Sequence, residues 1–397
     1  MEDYEAQELE FWRKLDEEGI SRSQMLRRSA AAAFGLTILS SPGVAWASRV
    51  KVGATPPLMG RTISIKELIT EAKKEGRLNT IALPPDWANY GEIMSTFQKK
   101  YGVPITNASP EASSAEENQA IVSLKGQSRA PDVVDDGPAF AIQGTAQGLF
   151  TKYFNSNFST VPRSMKDTRG YWVGDYWGVI AFGVNGVVVS NPPLAFKDLT
   201  RPEYKNKVAL NDDPRIAGSS FAGVFAASLA NGGSLDDITP GVDFFANLKK
   251  IGNFLPTNVT GQTVSSGQTP ITIDWDYLSH AYVTEFPNVK WTVHVPTDGR
   301  YGSYYCQAIS ATAPHPWAAR LWQEFLYSDQ GQLLWLKGAS HPARFADLAK
   351  RNVVPKALLS ALPPASEYAG VKFASPGQLT KAKAIVAAQW GPKVLGQ

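Results

Sequence analysis

The chain has 397 residues, of which 43% are hydrophobic and 19% charged, and this is the composition of a globular protein long enough to form two separate cores. One cysteine, Cys306, excludes an intramolecular disulfide framework and a zinc site with several thiolates, and the four histidines are dispersed. The sequence thus predicts no metal and no cofactor, and its dispersed basic residues predict no nucleic-acid partner.

The first 47 residues have the features of a cleavable export signal. A pair of arginines precedes the apolar run 29–39, which is too short to span a bilayer, and Ala45-Trp46-Ala47 has the small-x-small form of a cleavage site. Residues 21–27 resemble the twin-arginine export signal, although Ser23 replaces its second arginine, so the export route stays open. The residue directly after the cleavage site is Ser48 and not a cysteine. We expect a periplasmic protein, cleaved after about Ala47 and without a lipoprotein anchor; the alternative is a short surface helix.

Residues 48–60 are rich in proline and glycine and are expected to form a linker. After it, short apolar strands alternate with helices, which predicts βαβ units and a largely parallel sheet covered by helices on both faces. Ligands bind beyond the carboxyl ends of the strands in such sheets, so the loops after Leu83 and Val134 are candidate ligand-binding loops. The predicted strands are 78–83, 103–105, 131–135, 176–184, 187–189, 208–210, 271–273 and 291–295, and the predicted helices are 64–75, 89–101, 114–126, 219–230, 241–250, 276–285, 315–327 and 329–337.

One segment of the chain resembles a known family. Residues 198–214, DLTRPEYKNKVALNDDP, are similar to the "DL…PEYKGKVAL.DP" segment of extracellular solute-binding proteins that serve ABC importers. The subgroup is the one whose members carry ferric iron, thiamine, polyamines or phosphonates. Four further stretches agree with the family in the same order: FQKKYG at 97–102, PDVV at 131–134, HPWAA at 315–319 and SDQGQ at 328–332.

The resemblance implies an α/β, two-lobed type II periplasmic binding protein fold. Each lobe would hold a mostly parallel sheet flanked by helices, and two crossing strands, expected at 176–184 and 291–295, would join the lobes so that hinge closure traps a ligand. Lobe 1 would comprise 61–182 plus 291–397, and lobe 2 would comprise 183–290. The implied partners of this monomer are a small-molecule solute and an ABC permease in the inner membrane.

Three small residues stand where a helix of the second lobe is predicted to begin. Gly218, Ser219 and Ser220 would offer free backbone N–H groups and two hydroxyls to an oxyanion, because a helix N-terminus favours negative charge. The alternative is that Ser219 only caps the helix.

The loops after two strands of the first lobe carry further candidates. Trp87, Asn89 and Tyr90 follow the first strand, and Asp135 and Asp136 end another. We expect these side chains to face the ligand. The alternatives are that Asn89 caps the next helix, that Trp87 only packs, and that the two aspartates form a solvated turn.

Residues beside the crossing strands are a third set of candidate ligand-binding residues. Tyr176 lies at the start of the first crossing, and Arg300, Tyr301 and Tyr304 follow the second. Aromatic side chains bury much area, so packing is the alternative for the tyrosines, and a surface position is the alternative for Arg300.

The stretch 271–280, ITIDWDYLSH, places Asp274, Trp275 and Asp276 at the end of an apolar strand. An indole ring flanked by carboxylates suits an organic cation. The ferric-iron relatives carry a tyrosine pair at the corresponding place, whereas this chain has the single Tyr277, which argues against iron. The alternative is that Trp275 packs in the core and Asp276 caps the helix behind it.

Together these patterns predict the substrate-binding component of an ABC importer. It would capture a small polar organic solute that bears an amine, such as a polyamine or an aminophosphonate-like compound. The alternatives are an exported enzyme that uses a pair of cleft aspartates and a ferric-ion-binding protein. The chain contains no G-x-S-x-G, H-E-x-x-H or P-loop motif, so no catalytic residue is predicted.

Overall fold

The computed structural model describes residues 49–51, 62–359, 362–363 and 365–397. The predicted export signal lies outside these residues. Within the expected linker 48–60, Arg49–Lys51 forms a short strand that pairs antiparallel with Thr62–Ser64. In the part of the chain that is described, no helix combines the length and the apolar composition needed to cross a membrane.

Strands and helices alternate along the chain, as predicted. The strands are β1 (Arg49–Lys51), β2 (Thr62–Ser64), β3 (Leu78–Ile81), β4 (Ile105–Ala108), β5 (Val133–Asp136), β6 (Phe150–Thr151), β7 (Trp172–Asn185), β8 (Val208–Leu210), β9 (Phe254–Leu255), β10 (Ile271–Trp275), β11 (Trp291–His294), β12 (Gly302–Ser310) and β13 (His341–Pro342). The helices are α1 (Ile65–Glu75), α2 (Tyr90–Tyr101), α3 (Ser114–Ser123), α4 (Pro138–Ala146), α5 (Gly218–Ala230), α6 (Thr239–Ile251), α7 (Gly261–Ser265), α8 (Asp276–Glu285), α9 (Pro316–Leu326), α10 (Asp329–Lys337), α11 (Phe345–Lys350), α12 (Lys356–Leu359), α13 (Ala365–Tyr368) and α14 (Pro376–Trp390).

Local sequence signals define several helix ends. The Ser64 hydroxyl accepts a hydrogen bond from the Glu67 N–H at the start of α1, and Gly76 ends the helix in the left-handed conformation with φ of 82°. Gly102 ends α2 in the same way. These ends are those expected from the sequence.

The long strand β7 connects two lobes. Its 14 residues are all buried; the first part pairs with β12 and the last part with β10 and β11. The chain returns from β11 to β12 through residues 295–301, which is the second crossing. The first crossing lies where it was predicted. The second was expected at 291–295, but residues 291–294 form β11 on the second-lobe end of β7, and the crossing follows them. The crossings place β3, β4, β5 and β12 in one lobe and β8, β9 and β10 in the other.

The lobes contain both kinds of strand pairing. Parallel pairs join β3 to β4, β8 to β9, and β8 to β10. The antiparallel pairs in the lobes all involve β7 or β12, the strands that belong to the crossings. The carboxyl ends of β3, β5 and β8 open toward the space between the lobes.

The C-terminal helix α14 contacts both lobes, whereas the expected division assigns all of residues 291–397 to lobe 1. Helix α14 packs against α4 of the first lobe and against α6 of the second. The Trp390 ring lies 5.5 Å from the Phe245 ring and 6.3 Å from the Phe254 ring, and Lys393 forms an ion pair with Asp243 at 2.7 Å. Burial of Trp390 thus fixes the end of the chain on lobe 2. The lobe boundaries remain a prediction.

Candidate ligand-binding site

A cavity of about 130 Å³ lies between the two lobes. The first lobe contributes the segment after β3, residues 110–114, Glu117 of α3, and Asp135 and Tyr305. The second lobe contributes residues after β8, the start of α5, residues 258–261 and one face of α8. The cavity therefore lies beyond the strand ends, at the place that the strand and helix pattern predicts.

The cavity wall is acidic. Its carboxylate residues are Asp86, Glu111, Glu117, Asp135 and Asp212. Among the lining residues that the structure describes, none is Lys, Arg or His. Glu117 and Asp135 are buried and Asp212 is half-buried. Carboxylates in such positions without a nearby cation are costly, so this wall favours a cationic ligand.

Two of these residues form the floor of the cavity, and we call Glu117 and Asp135 the floor acids. Their side chains are buried, and the Asp135 backbone N–H donates to Glu117 Oε2 at 2.8 Å. Two phenols fix the Asp135 carboxylate, because Tyr90 Oη and Tyr176 Oη donate to its Oδ2 atom at 2.7 Å and 3.1 Å. The predicted residues Tyr90 and Tyr176 therefore lie behind the floor and position it.

Burial has the largest effect on the pKa values of the two floor acids. It raises the pKa of Asp135 to about 6, and the hydrogen bonds from Tyr90, Tyr176 and nearby groups only partly oppose it. Burial also raises the pKa of Glu117 well above its ordinary value, and the neighbouring carboxylates add to this effect. Asp135 therefore titrates near pH 6, and the pKa of Glu117 also lies above its ordinary range.

Two exposed carboxylates lie at the mouth of the cavity, and we call Asp86 and Glu111 the mouth acids. Partial burial raises the pKa of Glu111, and the charge of Asp86 raises it further, so the two groups are close enough to interact. The cavity thus carries acidic groups at both its floor and its mouth.

Aromatic rings cover one side of the cavity. The Trp87 Nε1–H donates to Tyr176 Oη at 2.8 Å, and the Trp87 ring lies edge-on to the Tyr305 ring at 5.7 Å. Tyr176 stacks on Tyr305 at 5.6 Å. Trp87 and Tyr305 line the cavity, so a cation there faces two π systems.

The start of helix α5 forms part of the opposite wall. Gly218 and Ser219 line the cavity, but the N-cap residue is Ala217 and not Ser219. The Ser219 hydroxyl lies 3.4 Å from the Asn211 carbonyl oxygen, and the buried Ser220 hydroxyl donates to the Ala217 carbonyl at 3.2 Å. Ser220 therefore does not reach the cavity, whereas the first backbone N–H groups of α5 can donate hydrogen bonds to a polar atom of a ligand.

The two aspartates of ITIDWDYLSH have structural partners. Asp274 Oδ2 accepts from Asn211 Nδ2 at 2.7 Å and Oδ1 accepts from the Trp275 N–H at 2.8 Å. Asp274 is buried, does not line the cavity, and has a pKa raised by burial to about 7. The expectation that Asp274 contacts ligand is corrected: it holds Asn211, which does line the cavity.

Asp276 is neither a ligand-facing group nor a helix cap. Helix α8 begins at Asp276, with Trp275 in the N-cap position. The Asp276 carboxylate accepts from the Val179 N–H at 2.9 Å and from Tyr368 Oη at 2.8 Å, so it attaches α8 to the crossing strand β7. The Trp275 ring packs in the core, and its Nε1–H lies 3.3 Å from Tyr305 Oη in the other lobe.

Several other predicted residues lie away from the cavity. Arg300 donates to the carbonyls of Ser366 and Ala369, Tyr301 stacks on Phe225 at 4.8 Å, and the Tyr304 hydroxyl donates to the Ser164 carbonyl. Asn89 donates to the Leu334 carbonyl at 2.9 Å, and Asp136 is buried on the face of β5 opposite to Asp135. The polar atoms of Arg300, Tyr304 and Asn89 are therefore bonded to backbone carbonyls distant in the sequence and do not face the cavity.

Sequence reasoning missed Glu117, Asp212, Tyr282 and Tyr305. Tyr305 is the neighbour of the candidate Tyr304, and adjacent strand residues point to opposite faces, so the choice of face was wrong. A register shift between Tyr304 and Cys306 makes that face hard to assign. Leu278 and Tyr282 line the cavity from one face of α8, and their spacing of four is the signal that would have indicated Tyr282.

The lobes touch each other around the cavity. The Ala115 N–H of the first lobe donates to the Ile216 carbonyl of the second at 3.1 Å. A Cβ atom on Gly137 would lie 3.1 Å from Gly218 Cα, so the two glycines allow a close backbone approach between the lobes. The structure is therefore in a closed arrangement. In the described part of the chain, no group of three or more His, Cys, Asp or Glu side chains is placed to hold a metal ion.

Comparison with known proteins agrees with this architecture. The family model for bacterial extracellular solute-binding proteins matches residues 128–364. No curated protein matches the chain.

Solved structures of periplasmic binding proteins are similar in fold. The protein AfuA from Actinobacillus pleuropneumoniae, with fructose-6-phosphate bound, is 18% identical with a TM-score of 0.64 over 81% of this chain and 99% of that one. Iron-bound HitA from Pseudomonas aeruginosa is 19% identical with a TM-score of 0.61 over 80% and 98% of the two chains. A putative spermidine/putrescine transporter protein from Listeria monocytogenes is 14% identical with a TM-score of 0.58 over 79% and 98%. These similarities confirm the predicted two-lobed type II periplasmic binding fold.

Proposed function

The chain belongs to the bacterial extracellular solute-binding protein family, and we propose that it captures an organic di- or polyamine and delivers it to the membrane permease of an ABC importer. The observation that supports this proposal is the charge of the cavity between the lobes, whose wall carries five carboxylate residues and, among the residues described, no cationic one.

A primary ammonium group complements the floor acids. It carries three N–H donors and a positive charge, so it can form charge-assisted hydrogen bonds to Asp135 and Glu117. The rings of Trp87 and Tyr305 lie beside this position, and they favour both the charge and the methylene chain of an alkylamine. An anionic or neutral solute would leave the buried floor carboxylates without a compensating charge.

The mouth acids favour a ligand with two or more ammonium groups over a ligand with one. A diamine or polyamine can place one ammonium group at the floor and another at the mouth acids, Asp86 and Glu111. A zwitterion can pair its amine with the floor, but its anionic end then depends on the start of α5 at Gly218 and Ser219, with carboxylates nearby. Repulsion from the mouth acids therefore favours the polyamine over the zwitterion.

We further propose that the mature protein acts as a monomer in the periplasm, without a lipid anchor, a cofactor or a chemical reaction. The ligand would be released unchanged when the lobes separate. The C-terminal helix α14, which contacts both lobes, would then have to follow or resist the opening.

The test is ligand binding by the mature chain, measured by isothermal titration calorimetry and by the shift in melting temperature. We expect stoichiometric binding of spermidine and putrescine, weaker binding of γ-aminobutyrate and 2-aminoethylphosphonate, and no product in the recovered ligand. Binding raises apparent stability by mass action, so the two methods check each other. Preference for ferric citrate or a sugar phosphate over every amine would contradict the proposal, and formation of a product would indicate an enzyme.

A further inference from the structure

The floor of the cavity is part of a larger group of buried carboxyl groups. Glu117, Asp135, Asp136 and Asp175 are each at most 5% exposed, and they come from three elements, α3, β5 and β7. We call these four residues the carboxyl cluster. Two of them, the floor acids, face the cavity, and the other two lie behind it.

Direct contacts connect the members of the carboxyl cluster. Glu117 Oε2 accepts from the Asp135 N–H at 2.8 Å, and Tyr90 Oη lies 2.7 Å from Asp135 Oδ2 and 3.4 Å from Asp175 Oδ2. Gln307 Nε2 donates to Tyr90 Oη at 3.0 Å and to Asp175 Oδ2 at 3.1 Å, so Tyr90 and Gln307 connect the two carboxyl groups. Buried carboxyl groups this close together do not all ionise, and their titrations are coupled.

The groups that surround the cluster supply little positive charge. The tyrosines and the cysteine that face it remain neutral at physiological pH, because burial raises the pKa of each. The cation that faces it, among the residues described, is Lys383 of α14, whose Nζ lies 3.2 Å from the centre of the Phe140 ring and attracts Asp136. The neutral groups are Tyr90 from α2, Tyr176 from β7, Tyr277 from α8, Tyr305 and Cys306 from β12, and Tyr327 after α9.

One buried cation cannot neutralise four carboxylates, and like charges in a buried site do not all ionise. The empty protein therefore keeps protons on the cluster at neutral pH. Burial and mutual repulsion raise the pKa of Glu117, Asp136 and Asp175 well above ordinary values, which is consistent with this conclusion.

We propose that ligand capture is coupled to proton release: an ammonium group that enters beside Asp135 and Glu117 displaces protons held by the carboxyl cluster, so that the solute is bound at neutral pH and released by acid. This inference rests on the proposed function, because it requires a cationic ligand. The bond that breaks is the O–H bond of a carboxyl group of the cluster, whose proton is taken up by water or buffer, and the ligand keeps its own N–H protons.

The sign of the pH dependence follows from linkage. The bound cation stabilises the ionised carboxylates, so affinity rises with pH wherever the empty protein holds more protons than the complex. Release of one proton gives a change of about tenfold in Kd for each pH unit. We expect this slope between pH 5.5 and 7, and a flatter dependence above it as the cluster loses its protons without ligand.

The experiment is calorimetric titration of the mature protein with spermidine, at one pH near 6, in buffers that differ in ionisation enthalpy. The slope of the observed enthalpy against the buffer ionisation enthalpy gives the number of protons released. We expect about one proton per ligand. The amines of spermidine stay protonated at this pH, so the released proton comes from the protein.

A matched pair of variants locates the source of the proton. Asp175→Asn removes a proton-holding group behind the floor and leaves both floor acids in place, so we expect retained binding with reduced proton release and a flatter pH profile. Asp243→Asn changes a surface carboxylate on α6 that pairs with Lys393, and it should leave proton release unchanged. If Asp175→Asn does not fold, the buffer series on the unmodified protein still decides the question.

The outcomes separate the two proposals. Spermidine binding that is independent of buffer and has a constant Kd from pH 5.5 to 8 would overturn the coupling while leaving the proposed function intact. Failure of every amine to bind would overturn both.

Discussion

Substituting Asp274 tests whether this residue supports the fold or contacts the ligand. Its carboxylate is buried, accepts hydrogen bonds from Asn211 and from the Trp275 N–H, and does not line the cavity. Asp274→Asn keeps the size of the side chain and one acceptor oxygen but removes the ionisation. We therefore expect a change in the pH dependence of stability, with amine binding reduced only a few-fold.

The magnitude follows from the pKa of the buried carboxyl group. Burial raises the pKa of Asp274 from 3.8 to about 7, so the folded state holds a proton that the unfolded chain has lost between these values. The stability associated with that proton is fully present below pH 4 and is lost as pH rises through 7. A pKa difference of about 3 corresponds to about 4 kcal/mol. As pH rises from 4 to 8, the unfolding free energy of Asp274→Asn should therefore increase by up to about 4 kcal/mol relative to that of the unmodified protein.

Urea denaturation at pH 4, 6 and 8, followed by tryptophan fluorescence, measures this difference. The other buried carboxyl groups titrate in both proteins and cancel in the comparison. Asp243→Asn, at an exposed ion pair, is the control and should show the pH dependence of the unmodified protein. Equal pH dependence in Asp274→Asn and the unmodified protein would contradict a buried, protonated Asp274. A loss of amine binding as large as that expected for Asp135→Asn would contradict its position outside the cavity.

Three further substitutions test the cavity. Asp135→Asn should raise the Kd for spermidine by about 10- to 150-fold, since a hydrogen bond to a charged group contributes about 1.5–3 kcal/mol; an unchanged Kd would remove Asp135 from the site. Tyr305→Phe should raise the Kd for spermidine by about 2- to 10-fold, because it removes the contact with Trp275 Nε1 across the lobes. The control is Tyr304→Phe, which should leave the Kd unchanged because the Tyr304 hydroxyl bonds to the Ser164 carbonyl away from the cavity. Equal effects of the two substitutions would contradict this assignment. Gly137→Ala should weaken binding and enlarge the radius of gyration of the ligand-bound protein in X-ray scattering, because its Cβ would lie 3.1 Å from Gly218 Cα; unchanged closure would contradict the close approach.

The fold could be predicted in large part because its signals are local or sequential. The glycines at 76 and 102 end helices with positive φ, as expected, and the family-like segment at 198–214 contains β8, after which the cavity opens. The position of the C-terminal helix could not be predicted in this way. The burial of Trp390 depends on Phe245 and Phe254, which belong to a different lobe.

The site was predicted less well than the fold, because many of its contacts join residues that are far apart in the sequence. Trp87, Asp135, Gly218 and Ser219 lie on the cavity wall, because strand ends and helix starts can be located from the sequence. Asp276 instead bonds to Tyr368, 92 residues away, and no local pattern indicates such a partner. Glu117 has the appearance of a solvated helix residue in the sequence, yet it is buried against the Asp135 backbone.

The most direct test of the central claim is a titration with a matched series of four-carbon ligands. Putrescine carries two ammonium groups, γ-aminobutyrate carries one ammonium and one carboxylate group, and 1,4-butanediol carries no charge. The acidic cavity predicts the tightest binding for putrescine, weaker binding for γ-aminobutyrate and none for the diol, with the preference for putrescine reduced in Asp135→Asn. Tighter binding of γ-aminobutyrate or of the diol than of putrescine would contradict the assignment of this cavity to a polyamine.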